Sequence, residues 1–483
     1  MVARVFHRLL ALLFLNAFLS LGAQVDVLIG SRGLLPIAPM LEALRQRPEI
    51  GLFDFPTLFW WNASDALIQG GIWIGVLLAL VALAGFGPRL CFLLLVPLYL
   101  SYSVACREFL SFQWDNLLLE CGFLAIFLPR DRPERWIHLA FRVLLFKLYW
   151  ESGIAKWQSH LHDWQDGSAM TFYYETAPLP TWLGWYAHHL PSWWHELESR
   201  AVLVLELIIP LAIFGPRLAR LSTCLVFTGF QILNLLTANY GFFCYGALAL
   251  HVFLLDDRDL TRLHDALQNR LGRFWRKPSQ PAHKKSLMRP RALHILTRFG
   301  PPLLCTLYIG SSSIEGYRRF VDAPRFREAV APVRRLYSSL RLVNTYHLFG
   351  HITRVRIEPE FQTLQGEIWS PHHMHYKPGP IDRPPPFVAP HQPRVDFRLW
   401  FYGLGYRRGV PQYTRTLLDR LCHDPKAVQA LFIDELPPSP EAVRIVFSRY
   451  QFSSPDAPQT SDAYWSRTFI TATSPIRCKI EAR

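Results

Sequence analysis

Lys147 and Glu151 stand four residues apart in an apolar stretch, and Lys156 follows just over a helical turn later. That spacing puts the first two on one face of a helix. Glu120, Glu206 and His251 lie in three other apolar stretches. A charge held in hydrocarbon costs at least about 2.5–3.5 kcal/mol, so such groups persist when they are paired or useful. One reading is a polar cavity in a helical bundle, opening to the outer side with Lys156 at its floor. A buried lysine there can lose its proton and act as a base. The other reading is a set of interhelical ion pairs, or Lys156 reaching to the interface.

A second group of chemistry-bearing residues lies between Gln158 and Ser199. It holds His160, His162, His188, His189 and His195 with Asp163, Asp166 and Glu175. Metal ligation needs three or four such groups to converge. His188 and His189 are adjacent and share no helical face, so no metal is assigned. Trp164, Trp182, Trp185, Trp193 and Trp194 suit a segment packed at headgroup level. Asp163, Trp164, Tyr173, Glu175, His188 and His189 are therefore expected in an interfacial binding loop. His372, His373 and His375 read as solvated histidines in a proline-flanked loop. There is no P-loop, GxGxxG or nucleophile elbow to support a nucleotide, dinucleotide or hydrolase site. No cofactor is implied.

These residues need elements to hold them, and composition says which kind. The 483 residues are 51% hydrophobic, 14% aromatic and only 18% charged, with mean hydropathy +0.12. Soluble domains carry about 25% charge, so the chain divides into a membrane half and a soluble half. The formal charge is +14, and eleven Lys and Arg residues fall between Arg258 and Arg298. A basic loop beside an apolar span is a cytosolic retention signal, and no nucleic-acid motif accompanies it. Candidate spans cover roughly 9–29, 67–85, 90–109, 114–128, 137–157, 201–214, 218–236, 238–255 and 299–314. With the N-terminus inside, Arg89, then Arg130, Arg132 and Arg135, then Arg217 and Arg220, fall in inner loops. The alternation puts everything after Glu315 outside the cytosol. Arg4 and Arg8 before an apolar run would also suit a signal peptide.

The fold class expected is a polytopic helical membrane bundle of about eight or nine spans followed by a β-rich, sandwich-like soluble domain. The membrane domain covers 1–315, with an outer loop at 158–200 and a basic inner loop at 256–298; 316–339 connects it to a domain at 340–483. In that last part Val395, Phe397, Leu399 and Phe401 alternate with polar or amphipathic neighbours, a strand period. Val443, Ile445 and Phe447 repeat it, as do Val355 and Ile357. Phe387–Pro393 is irregular, and Thr416–Phe432 reads as one or two short helices. Six cysteines fall in or beside apolar stretches. Cys422 and Cys478 could pair in an oxidising compartment. Asn62-Ala63-Ser64 is a glycosylation sequon on the outer side.

Several stretches resemble the lipase maturation factor family. They are Ile29–Pro36, Phe109–Asp115 running on to Glu120, and Tyr173–Thr176 with Pro178–Pro180, Trp185-Tyr186 and His188–Pro191. In the tail they are Leu342–Gly350, Tyr376–Gly379 and Arg383–Arg394. They occur in order from about residue 9 to 470. The resemblance implies a non-enzymatic protein that helps secreted clients such as lipases to mature, in contact with membrane lipid. It implies a multi-pass protein of the endoplasmic reticulum membrane, or of the inner membrane in a bacterial host, with the C-terminal domain lumenal or periplasmic. It favours a retained first helix. Asn344, Tyr346, Phe349, Pro390, His391 and Arg394 become candidate client contacts. A fainter likeness, Ser152–Trp157 with Asp163-Trp164, is to vitamin K-dependent carboxylases. It places Lys156 at their catalytic lysine and implies an alternative: a membrane enzyme acting on a lipid-like or quinone-like substrate.

Overall fold

The computed structural model describes residues 1–131, 134–271, 291–454 and 463–478. The N-terminal part is helical: α1 (Val2–Gly22), α2 (Asp65–Ala84), α3 (Pro88–Ala105), α4 (Gln113–Phe127), α5 (Arg135–Trp157), α6 (Trp182–His188), α7 (Ser192–Leu207), α8 (Arg217–Thr237), α9 (Phe243–Leu250) and α10 (Arg291–Phe320). Local chemistry sets the ends. The Ser64 side chain accepts the Leu67 N–H at the start of α2, and Gly85, at φ +90°, closes it in the left-handed region that favours glycine. Helix α1 runs through the middle of the bundle, burying Phe6, Phe14 and Phe18. A Cβ at Gly75 of α2 would lie 2.5 Å from the Phe18 ring, so the close packing of these two helices requires glycine there.

Four helices, α1, α2, α3 and α8, are long and apolar enough to cross a membrane. On α2 and α8 an apolar face that includes Trp73, Leu77, Leu218, Leu225 and Leu233 is exposed, as lipid-facing surface must be. The eight or nine expected spans are more than length and composition alone support among the described residues. Helix α4 has 15 residues, about 22 Å of rise against a hydrocarbon core of about 30 Å. Helix α5 has 23 residues but carries Arg142, Lys147, Glu151 and Lys156. The other candidates, α7, α9 and α10, are continued by a 3-10 turn or interrupted by proline. What stands is a multi-pass, membrane-associated bundle.

The loops expected to lie inside gather at one end. Arg4 pairs with Asp131 at 2.9 Å and Arg220 with Asp256 at 2.8 Å. Arg217 pairs with Asp259, and Arg130 donates to the Gly85 carbonyl. Arg132 and the stretch 272–290 of the expected basic loop lie outside the described residues.

After α10, helix α11 (Pro324–Arg335) leads into an extended segment and then a single antiparallel sheet. Its strands are β1 (Arg356–Gln365), β2 (Ile368–His372), β3 (Ala442–Phe452), β4 (Trp465–Ala472) and β5 (Ile476–Arg477), in the order β2-β1-β3-β4 with β5 also on β3. Helices α12 (Arg394–Leu404) and α13 (Gln412–His423) accompany it. The sheet is one layer, not a sandwich, and the second layer against it is helical. The presumed strand at Val395–Tyr402 is part of α12: its buried Val395, Leu399 and Tyr402 follow the i, i+4, i+7 stripe of a helix. The strands at 355–357 and 443–447 and the short helices after Thr416 are as expected. Cys422 and Cys478 form a disulfide, tying the end of α13 to the end of β5.

Candidate functional site

Four of the bundle's charged residues form two buried ion pairs between its helices. Lys147 of α5 donates to Glu120 of α4 at 2.8 Å and to the Ser312 hydroxyl at 3.1 Å. Its i+4 neighbour Glu151 instead accepts the Tyr346 backbone N–H at 2.7 Å. Glu120 is a hub. It also accepts the Tyr308 hydroxyl at 2.6 Å, the Tyr346 hydroxyl at 2.8 Å and both Asn344 donors, at 3.1 and 2.9 Å. A carboxylate ringed by this many donors can stay buried, because its lost hydration is replaced by charge-assisted hydrogen bonds.

Lys156, at the C-terminal end of α5, pairs with Glu206 of α7 at 2.7 and 3.0 Å and donates to the Leu348 carbonyl at 2.9 Å. All three ammonium protons are thus committed. Its ion pair borders a cavity of about 70 Å³ between α5, α7, α8 and the tail segment, walled by Trp164, Tyr173, Gln231, Tyr240 and Phe349. That volume holds several waters, at about 10–15 Å³ each. His251 is one step removed, bonded to Tyr149 at 3.0 Å, which in turn accepts from Gln231 at 2.9 Å. Glu120 and Lys147 do not line this cavity.

The loop 158–200, expected on the outer side, packs against the C-terminal sheet. Glu175 accepts the Phe452 N–H at 2.8 Å and lies 3.8 Å from His188. Burial, with His189 and His195 nearby, pushes His188 down to about 4. His189 contacts the Trp185 carbonyl at 2.7 Å. Asp163 accepts Ser159 at 2.6 Å and the Ile352 N–H at 2.7 Å, while Trp164 donates to the Phe349 carbonyl at 3.1 Å. Tyr173 shares a 2.6 Å hydroxyl contact with Tyr240. Trp182, Tyr186, Trp193 and Trp194 remain exposed. Of the tail histidines, His372 is buried on Thr363, not solvated, and His373 faces Asp434 at 3.0 Å.

The six residues expected to meet a client all make contacts within the chain. Asn344 and Tyr346 are on Glu120, and Phe349 walls the cavity. The Pro390 carbonyl accepts Asn16 at 2.9 Å, and His391 meets Ser20 at 2.9 Å. Arg394 grips Asp115 with two bonds, 2.7 and 2.8 Å, both groups fully buried, with Tyr99 on the same carboxylate at 2.6 Å. They form one half of a polar joint, and the other half is the end of the bundle remote from Arg4 and Arg130.

Much of that joint was not singled out by residue type. Asn239 accepts the N–H groups of Val388 and Ala389, at 2.7 and 3.0 Å, and donates to the Pro386 carbonyl at 2.8 Å. Gln24 bridges the Gln392 carbonyl and the Arg394 N–H, each at 2.8 Å. Arg356 of β1 donates to the carbonyls of Glu175, Ala177 and Pro178. Arg32 pairs with Asp424. Asp115 was detectable, as a carboxylate opening an apolar stretch. Uncharged Asn239 and Gln24, at helix ends, carry no such signal.

Two family models match the chain: the lipase maturation factor transmembrane domain over residues 1–262 and the lipase maturation factor C-terminal domain over residues 342–475. Lipase maturation factor 2 of Mus musculus is 30% identical, covering 95% of this chain and 80% of the relative. The Rattus norvegicus protein of the same name is 29% identical over the same shares. Lipase maturation factor 1 of Homo sapiens is 26% identical over 94% of this chain and 84% of its own length. No solved structure matches.

Proposed function

The chain belongs to the lipase maturation factor family, and from that premise we propose that it helps secreted, lipase-like clients to fold at the membrane, meeting them with the outer part of its C-terminal sheet. The observation that carries this reading is how the sheet is rooted. Arg356, at the start of β1, and Phe452, at the end of β3, bond to the outer loop. The opposite end of the sheet therefore points away from the bundle. There Ile476 of β5 is 50% exposed and, on the opposite edge of the sheet, Ile368 of β2 is 71% exposed; partway along β4, Phe469 is 65% exposed. Among the described residues β4 pairs on one side only. An open strand edge beside exposed apolar side chains suits an extended segment of a partly folded chain.

The reading is of a binding protein, not an enzyme. Lys156 fits it as the cationic half of a buried ion pair with Glu206. In the topology proposed, nine passes begin inside, and the C-terminal domain faces the lumen of the endoplasmic reticulum or a periplasm. The clustering of Arg4, Arg130, Arg217 and Arg220 at the end remote from the tail supports it. So does the disulfide, which suits an oxidising compartment.

The test is secretion of an active lipase from cells lacking their own factor. Phe469→Asp with Ile476→Asp, both on the β4 side of the sheet, should cut it several-fold while the chain accumulates with its disulfide intact. Undiminished secretion would rule out this surface. Lys156→Arg keeps the ion pair but removes a usable base. Full activity of that variant fits a binding protein; complete loss with the fold intact would favour the carboxylase-like alternative.

A further inference from the structure

Helix α11 has no buried residue, although it follows directly on the long helix α10. Around its axis Phe326, Ala329, Val330 and Val333 fall on one side, with Leu336 just beyond the end continuing that face. Phe326 and Val330 are half-buried, Phe326 against Tyr317 at 4.7 Å. Ala329, Val333 and Leu336 are exposed, Leu336 by 78%. This uncovered strip adjoins another: Phe299, Leu303, Leu307 and Tyr317 are exposed along one face of α10, with Val321 just beyond its end, as apolar residues are on α2 and α8. Its depth is set by Gln158, which donates to the Phe320 carbonyl at 3.1 Å beside the exposed Trp157 at the outer end of α5. Tryptophan at a span end marks the headgroup level.

The charge here runs against the usual bias. Between Glu315 and Leu336 there are six arginines (318, 319, 325, 327, 334 and 335) against Glu315, Asp322 and Glu328. Arg318 and Arg334 bond Glu315, and Arg327 bonds Asp322. Arg319, Arg325 and Arg335 bring the surplus. Such clusters belong to the cytosolic side of membrane proteins, yet this one lies at the tail's end of the bundle. An excess of arginine beside an exposed apolar strip at headgroup depth needs an acidic, amphiphilic partner.

We propose that α11 lies in the non-cytosolic face of the membrane, its Ala329–Val333–Leu336 strip among acyl chains and its arginines on the headgroups of anionic phospholipids. It thereby fixes the height of the C-terminal domain above the bilayer. The leaflet assigned rests on the topology proposed above. Basic side chains beside an anionic surface gain about fivefold in attraction each, and long cationic stems reach from an apolar strip to phosphate.

The full chain would be placed in nanodiscs of phosphatidylcholine, with or without phosphatidylglycerol, and spin-labelled at Val333→Cys or Ala331→Cys. These positions are about 160° apart around the helix. The Val333 label should be more accessible to oxygen than to an aqueous nickel chelate, and the Ala331 label the reverse. Phosphatidylglycerol should deepen the Val333 label, and Arg325→Gln with Arg335→Gln should cancel that shift. Equal nickel access at both positions would overturn the proposal; if polyglutamate then immobilised the labels, the surface would be one for acidic polypeptide. A Val333 depth unchanged by phosphatidylglycerol would overturn the anionic preference. Labelling of Ala331→Cys by an impermeant reagent only from the cytosolic side would overturn the topology, with the lipid contact itself still reported by the depth data.

Discussion

Arg394 and Asp115 show what a single residue does in this protein. They are 279 positions apart, both buried, and joined by two bonds at 2.7 and 2.8 Å. Removing one partner of such a pair costs roughly 3–5 kcal/mol, because the other charge is left buried and alone. Arg394→Met should therefore lower the melting temperature in detergent sharply, and adding Asp115→Leu should restore much of it. Failure of the double variant to recover would mean that the bonds to Tyr99 and Phe109 matter more than the pair. Asp396, on the same helix, is buried and accepts the Tyr376 N–H at 3.0 Å. Burial lifts it from 3.8 to about 6 despite that bond and nearby Lys377. A raised carboxylate favours the fold when protonated. Its contribution is full below about pH 4 and fades by about 3 kcal/mol as pH rises through 6. Relative to Asp396→Asn, the wild type should gain melting temperature on acidification across that window. A constant difference between the two would show that Asp396 stays charged throughout.

At the scale of elements, the C-terminal sheet depends on helices for its second layer. Gly403 of α12 lies against the Ile357 carbonyl of β1, so close that a side chain there would collide with backbone. Phe397 of the same helix meets Phe112 and Trp114 of the bundle at 4.9 and 5.0 Å. Helix α12 is thus packed on both sides, by the sheet and by the membrane domain. On the sheet's outer margin, the disulfide closes a loop of 56 residues from α13 to β5. A loop of that length stabilises a fold by about 2–4 kcal/mol. Cys422→Ser should lower the melting temperature accordingly, and reductant should do the same to the wild type alone. Equal melting with and without reductant would mean the two thiols are not bonded.

The whole molecule is one piece. The tail's buried polar groups find their partners in the bundle: Arg356 on Glu175, Ala177 and Pro178, Tyr346 on Glu120 and Glu151, Gln392 on Ser20. Cut free, the tail would exchange these bonds for bonds to water, a net loss of about 0.5–1.5 kcal/mol each, and would uncover Phe397 where it meets Phe112 and Trp114. Residues 340–483 expressed alone should give poorly dispersed amide spectra, whereas co-expression with 1–339 should restore a folded complex. A well-dispersed spectrum of the isolated tail would contradict this dependence. A joint of this kind also gives the proposed client surface a fixed height and tilt over the membrane.

Local pattern was enough to read the apolar helices, the strand character around Ile357 and at Val443–Phe447, and the short helices near Thr416. These depend on residues within a turn or two of each other, so a single sequence carries them. At Val395–Phe401 the alternation of apolar residues fitted a strand. The buried set also had helical spacing, and contacts on both sides of α12 decided between them. The same limit applies to the site. Glu120, Lys147, Lys156 and Glu206 stood out because a charge in an apolar stretch is visible locally. That Lys147 takes Glu120 and leaves Glu151 to the tail depends on how α4, α5 and the Leu342–Gly350 segment meet. Asn344, Tyr346, His391 and Arg394 had the right residue types for recognition. Only the tertiary structure decided that they recognise this protein's own bundle, because their partners lie up to 371 residues away and are brought together by the packing of the whole chain.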